Sequence, residues 1–255
     1  MNDGPRVSLL MAAYNNVAYI KAAIDSVKRQ TYDNWELCVQ DDGSTDGTYE
    51  LACTLATGDQ RIKVETNGRN LGYNATLIEV AKRATGELWG HFDSDDMLER
   101  YAIEEMVRAF AQRPDVALIY SDFAQIAQHG KVDDYTIESY SLSRDFNPQE
   151  LYHHGWRHFG MYRAKAYREI QGYNPKLTNV PGCGDGDLFM QIVEQHPAYH
   201  LPKTLYYYRN HQTNISRSIQ KCEVCPANPD CNYIRVWAKA ANRDQRTLQP
   251  LPKDQ

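Results

Sequence analysis

The sequence has no long apolar run and no excess of positive charge. No stretch approaches the roughly 20 apolar residues that cross a bilayer as a helix, and the N-terminal segment MNDGPRVSLLMAAYN lacks the layout of a signal peptide. The formal net charge is -5, which argues against a broad nucleic-acid-binding surface. These absences predict a soluble, cytoplasmic protein without a nucleic-acid partner, while peripheral contact with a membrane stays open.

Cysteine is scarce, with six residues in the chain, which indicates a reducing compartment rather than a disulfide-stapled fold. Cys38 falls in a predicted strand and Cys53 in a predicted helix, where a free thiol behaves as a small hydrophobe. The segment KCEVCPANPDC, in contrast, places Cys222, Cys225 and Cys231 in one short loop. Zinc would need a fourth ligand there, so zinc, a disulfide and free thiols all stay open.

The first 122 residues alternate between short apolar runs and segments with helical spacing. The predicted strands cover residues 7–12, 35–40, 61–66, 88–92 and 116–122, with helices between them. Repeated strand–helix units of this kind predict an α/β fold with a mostly parallel central sheet and helices on both faces. Repeats, low-complexity tracts and Gly/Ser linkers are missing, so a single domain is expected.

Beyond residue 122 the alternation weakens, and the segment 123–156 is polar, rich in tyrosine and irregular. A hairpin is predicted around His129-Gly130. The later predicted elements are a short strand and a helix within 159–175, a helix over 187–195 and a strand over 205–211. The second half is therefore expected to be more variable than the first.

Polar residues follow several of the predicted strands directly. The segment HFDSDD places Asp93, Asp95 and Asp96 within four positions, after an apolar run. Neighbouring carboxylates repel one another unless a cation compensates, so the segment is either a site for a hard divalent ion or a solvated turn that caps the next helix. Because ligands of parallel sheets bind at the carboxyl ends of the strands, convergence with Asn15 and Asp41 favours the metal site.

Five motifs together resemble an inverting family 2 glycosyltransferase with the GT-A fold. They are AAYN, VQDDGSTDG, HFDSDD, GCGDGDL and YYYRNHQTNIS, in that order along roughly residues 5 to 217. The resemblance implies a GT-A domain over 1–217, with a nucleotide-binding half (1–122) and an acceptor-binding half (123–217), followed by a polar extension over 218–255. It also implies transfer of a sugar from a UDP-sugar to a hydroxyl acceptor with Mn²⁺ or Mg²⁺, for synthesis of a surface polysaccharide, lipopolysaccharide or capsule.

The nucleotide-binding residues that this resemblance implies lie in the first three motifs and the NLG segment. Asp41 matches the aspartate that accepts a hydrogen bond from the uracil ring N–H, and Asp93 matches the residue that approaches the ribose or nucleotide. The full set is Ala13, Tyr14, Asn15, Asp41, Asp42, Asn70, Asp93, Ser94 and Asp95. Ala12 stands where relatives usually have proline.

The metal and diphosphate residues implied by the resemblance lie in HFDSDD and in the last motif. Asp95 and His211 match the ligands of the cation that bridges the diphosphate, and Asp96 either shares this task or caps the following helix. Arg209 and Ser216 match contacts to the diphosphate. Aspartate oxygens suit hard ions such as Mg²⁺ and Mn²⁺.

Asp185 in GCGDGDL matches the base that removes the proton of the acceptor hydroxyl. The alternative is that Asp185 and Asp187 only place favourable negative charge at the start of a helix. Gly184 stands where relatives usually have Glu.

Trp156 and His158 lie in the region that shapes the acceptor pocket in relatives. The alternative for Trp156 is that its ring packs in the hydrophobic core.

A further departure is Leu77-Ile78, which replaces an Arg-Asn pair of many relatives; Arg69 and Lys82 are the candidates for the missing charge.

Two other functions stay open. A sugar nucleotidyltransferase would need a Gly-rich, basic phosphate loop that MAAYNNVAYI does not offer, and an inactive nucleotide-sugar-binding module would not need Asp185. The sequence does not identify the donor sugar, the acceptor or the oligomeric state.

Overall fold

The computed structural model describes residues 4–127, 159–177 and 184–214. Its strands are β1 (Val7–Ala13), β2 (Trp35–Asp41), β3 (Ile62–Thr66), β4 (Leu88–His91), β5 (Met97–Leu98), β6 (Leu118–Ala127), β7 (Gly160–Arg163) and β8 (Ala198–Asn210). Its helices are α1 (Ile20–Lys28), α2 (Thr48–Ala56), α3 (Tyr73–Ala81), α4 (Ala102–Gln112), α5 (Ala164–Glu169) and α6 (Gly184–Gln195), with a 3₁₀ turn at Pro175–Leu177.

The described strands form one eight-stranded sheet in the order β3-β2-β1-β4-β7-β6-β8-β5. The β1–β2, β2–β3, β1–β4 and β6–β8 pairs are parallel, whereas β7 runs antiparallel to β4 and β6, and β5 antiparallel to β8. The predicted α/β fold with a mostly parallel sheet is confirmed.

Helices cover both faces of this sheet, as predicted. Neighbouring residues of a strand point to opposite faces, and Leu9 and Leu10 of β1 belong to two different buried clusters. The cluster around Leu9 includes side chains of α1 and α4, such as Ile24 and Met106. The cluster around Leu10 includes side chains of α3 and α6, namely Leu77, Val80, Leu188, Phe189 and Ile192. The sheet is therefore held rigidly between two apolar layers.

The largest difference from the predicted elements concerns the last part of the sheet. Strand β8 starts at Ala198 rather than at residue 205, and its pairing with β6 shifts register on both sides of Asp122. Pro202 and exposed Lys203 in this stretch mask the strand pattern in the sequence, because both residues are typical of bulges and edges. The two-residue strand β5 was also not predicted, since its length carries no periodicity.

Several predicted features lie outside the described residues. These are the hairpin at His129-Gly130, the acceptor residues Trp156 and His158, Ser216, the loop with Cys222, Cys225 and Cys231, and the extension over 218–255. Within the described ranges, Cys38 and Cys53 are free thiols. No helix in those ranges is long and apolar enough to cross a membrane.

A buried carboxylate, Glu36, ties the amino ends of the first strands together. Its side chain is fully buried on β2 and accepts hydrogen bonds from Ser8 Oγ at 2.6 Å, Lys63 Nζ at 2.7 Å and the backbone N–H of Thr85 at 2.7 Å. Burial alone would raise the pKa of Glu36, but the hydrogen bonds from Lys63, Ser8 and Thr85 outweigh it and lower the pKa to about 2. The ionised form is therefore the one that the fold stabilises.

Replacing Glu36 with glutamine should lower the free energy of unfolding by about 1–3 kcal/mol at pH 7, because an amide group would face donors that need an acceptor. A carboxylate whose pKa falls on folding stabilises the protein above its unfolded pKa of about 4.3, and this contribution is lost as the pH falls toward 2. Urea denaturation at pH 7 and pH 3 should show the difference between wild type and variant shrinking at low pH.

A matched control is Glu65→Gln, because the Glu65 side chain is 63% exposed and its ion pair with Arg83 is long, at 3.5 Å. This control should change stability by less than about 0.5 kcal/mol. A Glu36→Gln variant as stable as the control would contradict the role given to the buried carboxylate.

Candidate active site

The candidate site lies at the carboxyl ends of β1, β2 and β4. From β1 the chain proceeds to β2 and β3 on one side of the sheet and then to β4 on the other, so a crevice is expected beyond β1 and β4. Asn16, after β1, donates from Nδ2 to Ser94 Oγ, after β4, at 2.7 Å. The structure thus brings together the loops that the sequence analysis expected to meet.

The loop after β1 is also joined to the loop after β2. Asn15 has a positive φ of 50°, and its side-chain oxygen accepts a hydrogen bond from the N–H of Thr45 at 2.9 Å. Its own N–H donates to Ser44 Oγ at 2.9 Å. Ala13 is buried and Tyr14 is exposed, so Tyr14 offers its ring at the surface beside this junction.

Asp41 ends β2 and is only partly satisfied. Its Oδ2 accepts hydrogen bonds from the N–H of Ser44 at 3.0 Å and from Thr66 Oγ1 at 3.1 Å. Its Oδ1 is buried and has no hydrogen-bond partner among the described residues. An unpaired buried acceptor costs about 1–3 kcal/mol, and a ring N–H that reached this atom after a shift of the surrounding loops would remove that cost.

Asp42 has a different set of contacts. Its Oδ1 accepts from Asn67 Nδ2 at 2.8 Å and from the N–H of Leu71 at 2.7 Å, and its Oδ2 accepts from the N–H of Gly72 at 2.9 Å. Asn70 also accepts from the N–H of Gly72, at 3.0 Å. Asp42 and Asn70 thus shape the turn that leads into α3, which favours a positioning task for both side chains.

Asp96 anchors the acidic turn to β8. It is buried and accepts hydrogen bonds from Tyr206 Oη at 2.6 Å and from the N–H of Arg209 at 2.7 Å. Burial, together with the nearby charges of Asp95 and Asp93, raises the pKa of Asp96 well above its usual range. Helix α4 begins only at Ala102, so the expectation that Asp96 caps the following helix is wrong.

Asp95 and His211 meet although they are far apart in the sequence. Asp95 Oδ2 lies 2.9 Å from His211 Nε2, and the backbone oxygen of Asp95 accepts from Arg209 Nε at 2.8 Å. His211 is buried; its ring packs on Tyr19 at 4.5 Å between centroids, and its Nδ1 lies 2.9 Å from Thr213 Oγ1. Burial raises the pKa of Asp95, although the hydrogen bond with His211 opposes the shift.

A carboxylate oxygen and an imidazole nitrogen side by side fit a divalent cation. Mn²⁺ accepts both donor types, and Mg²⁺ is often held by one or two protein groups together with substrate phosphates. No group of three or more His, Cys, Asp or Glu side chains in the described ranges could hold an ion alone. Asp95 and His211 would therefore hold a cation only when diphosphate oxygens and water complete its coordination.

Two residues that the sequence analysis missed, His91 and Tyr73, contact Asp93. Asp93 Oδ1 lies 3.2 Å from His91 Nε2 and 3.3 Å from Tyr73 Oη, and the Tyr73 hydroxyl lies 2.6 Å from the same nitrogen. Asn16, Tyr19 and Tyr206 were also missed. The available signal was a histidine at the end of an otherwise apolar strand, LWGH.

Asp185 lies in the first turn of α6, close enough to His91 and Asp93 for their charges to act on it. Burial raises the pKa of Asp185, the charge of Asp93 raises it further, and His91 opposes both. A raised pKa brings a carboxylate closer to the range in which it serves as a base at neutral pH. Asp187 is buried and accepts a hydrogen bond from Gln191 Nε2 at 2.9 Å within α6, which favours a structural task.

Two of the three departures from the resembled family, Gly184 and Leu77-Ile78, lie against each other. A Cβ atom at Gly184 would collide with the Asn74 side chain and come within 2.9 Å of Leu77 Cδ1. Leu77 is fully buried, so no charge is placed there. Lys82 pairs with Glu79 on the exposed side of the chain, at 2.7 Å from both carboxylate oxygens, and so does not supply the missing charge. The start of α6 thus packs closely on α3 at these two positions.

Comparisons with known proteins agree with the sequence motifs. The family model described as "Glycosyl transferase family 2" matches residues 8–171. A hyaluronan synthase of Pasteurella multocida is 29% identical over 218 residues, which are 85% of this chain and 22% of that protein. The chain spans about a fifth of the length of three of the curated relatives that it matches, this synthase included, and 77% of the putative glycosyltransferase EpsE of Bacillus subtilis.

Two solved structures share the fold. S. aureus TarS 1-349 in complex with UDP-GlcNAc has a TM-score of 0.69 at 17% identity, covering 94% of this chain and 72% of that one. The mannosyltransferase PcManGT from Pyrobaculum calidifontis, in complex with GDP-Man and Mn²⁺, has a TM-score of 0.63 at 17% identity, covering 95% of this chain and 76% of that one. The expected GT-A fold is confirmed.

Proposed function

Because the chain belongs to glycosyl transferase family 2, we propose that it transfers a sugar from a UDP-sugar to a hydroxyl acceptor, with inversion at the anomeric carbon and with a divalent cation at the diphosphate. The observation that carries this proposal is the arrangement around the acidic turn. Asp95 lies against His211, and Asp93 and Asp185 are near enough to influence each other's charge. Two groups suited to a cation therefore lie in the same site as a candidate base.

In the proposed reaction, Asp185 accepts the proton of the acceptor hydroxyl while that oxygen forms a bond to the anomeric carbon. The bond between this carbon and the diphosphate oxygen breaks, and its electron pair leaves with UDP. Attack on the face opposite the leaving group inverts the anomeric configuration. A cation held by Asp95 and His211 would supply positive charge at the diphosphate. Arg209, whose Nε donates a hydrogen bond to the backbone oxygen of Asp95, would add to that positive charge.

The uridine assignment rests on Asp41. Uracil has a ring N–H that would satisfy the unpaired Oδ1, whereas cytosine has a lone pair at the same ring position. The GT-A fold alone does not decide the base, because TarS was solved with UDP-GlcNAc and PcManGT with GDP-Man. The choice among nucleotides therefore depends on local contacts such as this one.

Displacement of a labelled nucleotide should show that UDP binds at least tenfold more tightly than GDP or CDP, which corresponds to about 1.4 kcal/mol. Asp41→Asn should largely remove the difference between UDP and CDP, because an amide can turn its N–H₂ group toward the cytosine ring nitrogen. Asp59→Asn is the matched control, since Asp59 pairs with Arg61 after α2. Equal displacement by UDP and GDP in the wild type would contradict the uridine assignment.

The product that this proposal favours is a polysaccharide of the cell surface, a lipopolysaccharide or a capsule. The relative named hyaluronan synthase supports a saccharide as the acceptor. This chain spans only a part of that protein, so the acceptor and the donor sugar are left to experiment.

The direct test is release of UDP from a panel of UDP-sugars, with and without Mn²⁺. UDP-sugars that protect the protein from thermal unfolding would be tested first, because a bound donor stabilises the folded state. A catalyst should release UDP in a Mn²⁺-dependent manner, and NMR of the transferred sugar should show the inverted configuration. Protection without release of UDP would favour the alternative of an inactive nucleotide-sugar-binding module.

A further inference from the structure

Tyr19 is a buried aromatic residue that the hydrophobic core does not account for. It directly precedes α1 and is 8% exposed, yet among the described residues it belongs to none of the three buried apolar clusters. Tyr32, which follows α1 and is also 8% exposed, is a member of the cluster around Leu9. Apolar packing therefore explains the burial of Tyr32, whereas the burial of Tyr19 needs another explanation.

The ring of Tyr19 contacts two side chains at the end of β8 and just beyond it. Its centroid lies 4.5 Å from the centroid of the His211 imidazole, with 32° between the ring planes, and 5.4 Å from Arg209 Cζ. Both partners are buried. Because an aromatic face attracts a guanidinium group and packs well on a second flat ring, both contacts are favourable. Tyr19 is thus buried against polar groups of the candidate site.

The position of Tyr19 is fixed by the loop after β1. Its backbone N–H donates to the backbone oxygen of Asn16 at 2.9 Å. Asn16 in turn donates from its N–H to Thr48 Oγ1 at 2.8 Å and from Nδ2 to Ser94 Oγ at 2.7 Å. The Tyr19 ring therefore offers a fixed surface to side chains that arrive from the other end of the described chain.

His211 has three contacts, and only one of them is independent of what its ring nitrogens bind. Nε2 lies 2.9 Å from Asp95 Oδ2, Nδ1 lies 2.9 Å from Thr213 Oγ1, and the ring packs on Tyr19. A cation held by Asp95 and His211 would take the lone pair of Nε2, so the direct contact between these two side chains would be given up. The contact with Tyr19 uses the face of the ring and remains available with or without the cation.

We propose that Tyr19 is a positioning residue of the cation site: its ring holds the His211 imidazole beside Asp95, so that the site is formed before UDP and the cation bind. A site that is already ordered binds more tightly, and groups that orient a metal-binding histidine contribute to metal affinity. This inference rests on the proposed function, because Tyr19 has this task only if Asp95 and His211 hold the cation. It extends that function to a residue outside the five motifs.

The test is Tyr19→Leu, which keeps an apolar side chain but removes the aromatic face. Titration calorimetry measures the Mn²⁺ effect, defined as the Kd of UDP without Mn²⁺ divided by the Kd with Mn²⁺. We expect an effect of at least about tenfold in the wild type, and a decrease of this effect by about threefold or more in the variant. UDP binding without Mn²⁺ should stay within about twofold of the wild type, since Arg209 keeps its hydrogen bond to the backbone oxygen of Asp95.

Two variants serve as controls. Tyr19→Phe keeps the ring and loses only the hydroxyl, so it should retain the Mn²⁺ effect. Tyr32→Leu removes an equally buried tyrosine at the other end of α1, whose hydroxyl donates to the backbone oxygen of Pro5 at 2.7 Å. This variant should lose thermal stability but retain the Mn²⁺ effect. Tyr19→Met replaces Tyr19→Leu if the leucine variant does not fold, because methionine adapts to irregular spaces.

A second readout needs neither metal nor nucleotide. The ring current of Tyr19 should displace the NMR signals of the His211 imidazole, which are identified by their absence from the spectrum of His211→Gln. The displacement should persist in Tyr19→Phe and Tyr32→Leu and disappear in Tyr19→Leu. This measurement reports the contact itself, independently of UDP binding.

The outcomes are distinct. A smaller Mn²⁺ effect in Tyr19→Leu alone, together with the lost ring-current displacement, supports the proposal. A wild-type Mn²⁺ effect in folded Tyr19→Leu or Tyr19→Met overturns it and leaves the proposed function standing, and so does an equal decrease in Tyr19→Phe or Tyr32→Leu. A wild-type protein that binds UDP equally with and without Mn²⁺ would overturn the cation site of the proposed function and this inference with it.

Discussion

Replacing Asp95 with alanine should abolish the effect of Mn²⁺ on UDP binding. In the wild type, titration calorimetry should show UDP binding at least tenfold more tightly with Mn²⁺ than without it, or about 1.4 kcal/mol. The variant loses the carboxylate that lies 2.9 Å from His211 Nε2, and His211 alone is a weak site for a hard ion. UDP should then bind the variant with the same affinity whether or not the metal is added.

Asp96→Asn provides the contrast for this experiment. Both oxygens of Asp96 already accept hydrogen bonds, from Tyr206 Oη and from the N–H of Arg209. The variant should therefore keep the Mn²⁺ dependence of UDP binding while losing thermal stability. If Asp95→Ala instead binds UDP with unchanged Mn²⁺ dependence and Asp96→Asn does not, then Asp96 is the ligand and the assignment of Asp95 is wrong.

The meeting of the site loops was predictable because it depends on local patterns. Each apolar strand ends in a polar turn, and parallel strands place those turns at one edge of the sheet, which is where Asn15, Asp41 and Asp93 are found. Residues in these turns can thus be grouped from the sequence without knowing a single contact.

The support of the acidic turn was not predictable in this way. Asp96 accepts its hydrogen bonds from Tyr206 and Arg209, which lie more than 100 residues further along the chain. Strand β8 reaches this turn only through an irregular pairing with β6, and the sequence pattern does not reveal the register shift. The sequence alone therefore left Asp96 open between a metal ligand and a helix cap, and it did not reveal the hydrogen bonds that join this side chain to β8.

The absence of a side chain at residue 184 also has a cause that the sequence pattern does not reveal. The sequence shows a missing carboxylate next to Asp185, but the reason is a contact between two helices. Asn74 and Leu77 of α3 occupy the space that a side chain at residue 184 would need. The motif singled out the neighbouring residue, Asp185, as a candidate base, whereas the tight packing around Gly184 was not predictable.

Asp185→Asn should leave donor binding nearly unchanged while slowing UDP release at least about 100-fold, because general-base assistance is typically worth ~10²–10⁴ in rate. Asparagine keeps the shape and much of the hydrogen bonding of the side chain but cannot take a proton. Calorimetry with UDP and Mn²⁺ measures donor binding, and single-turnover release of UDP measures the chemical step. In the structure, the charges of His91 and Asp93 act on Asp185, whereas the residues that fit the cation are Asp95 and His211.

Asp187→Asn is the matched control on the same helix turn, since Asp187 accepts its hydrogen bond from Gln191 within α6. If Asp185 only stabilises the start of the helix, then both asparagine variants should turn over normally, because asparagine also tolerates helix starts well. Normal turnover by Asp185→Asn with slow turnover by Asp187→Asn would move the base to Asp187. Loss of UDP binding together with turnover in Asp185→Asn would make Asp185 part of the nucleotide site. Slow turnover with intact UDP binding in Asp185→Asn alone is the pattern that a base in direct displacement requires, because only the step that transfers the proton then depends on the carboxylate.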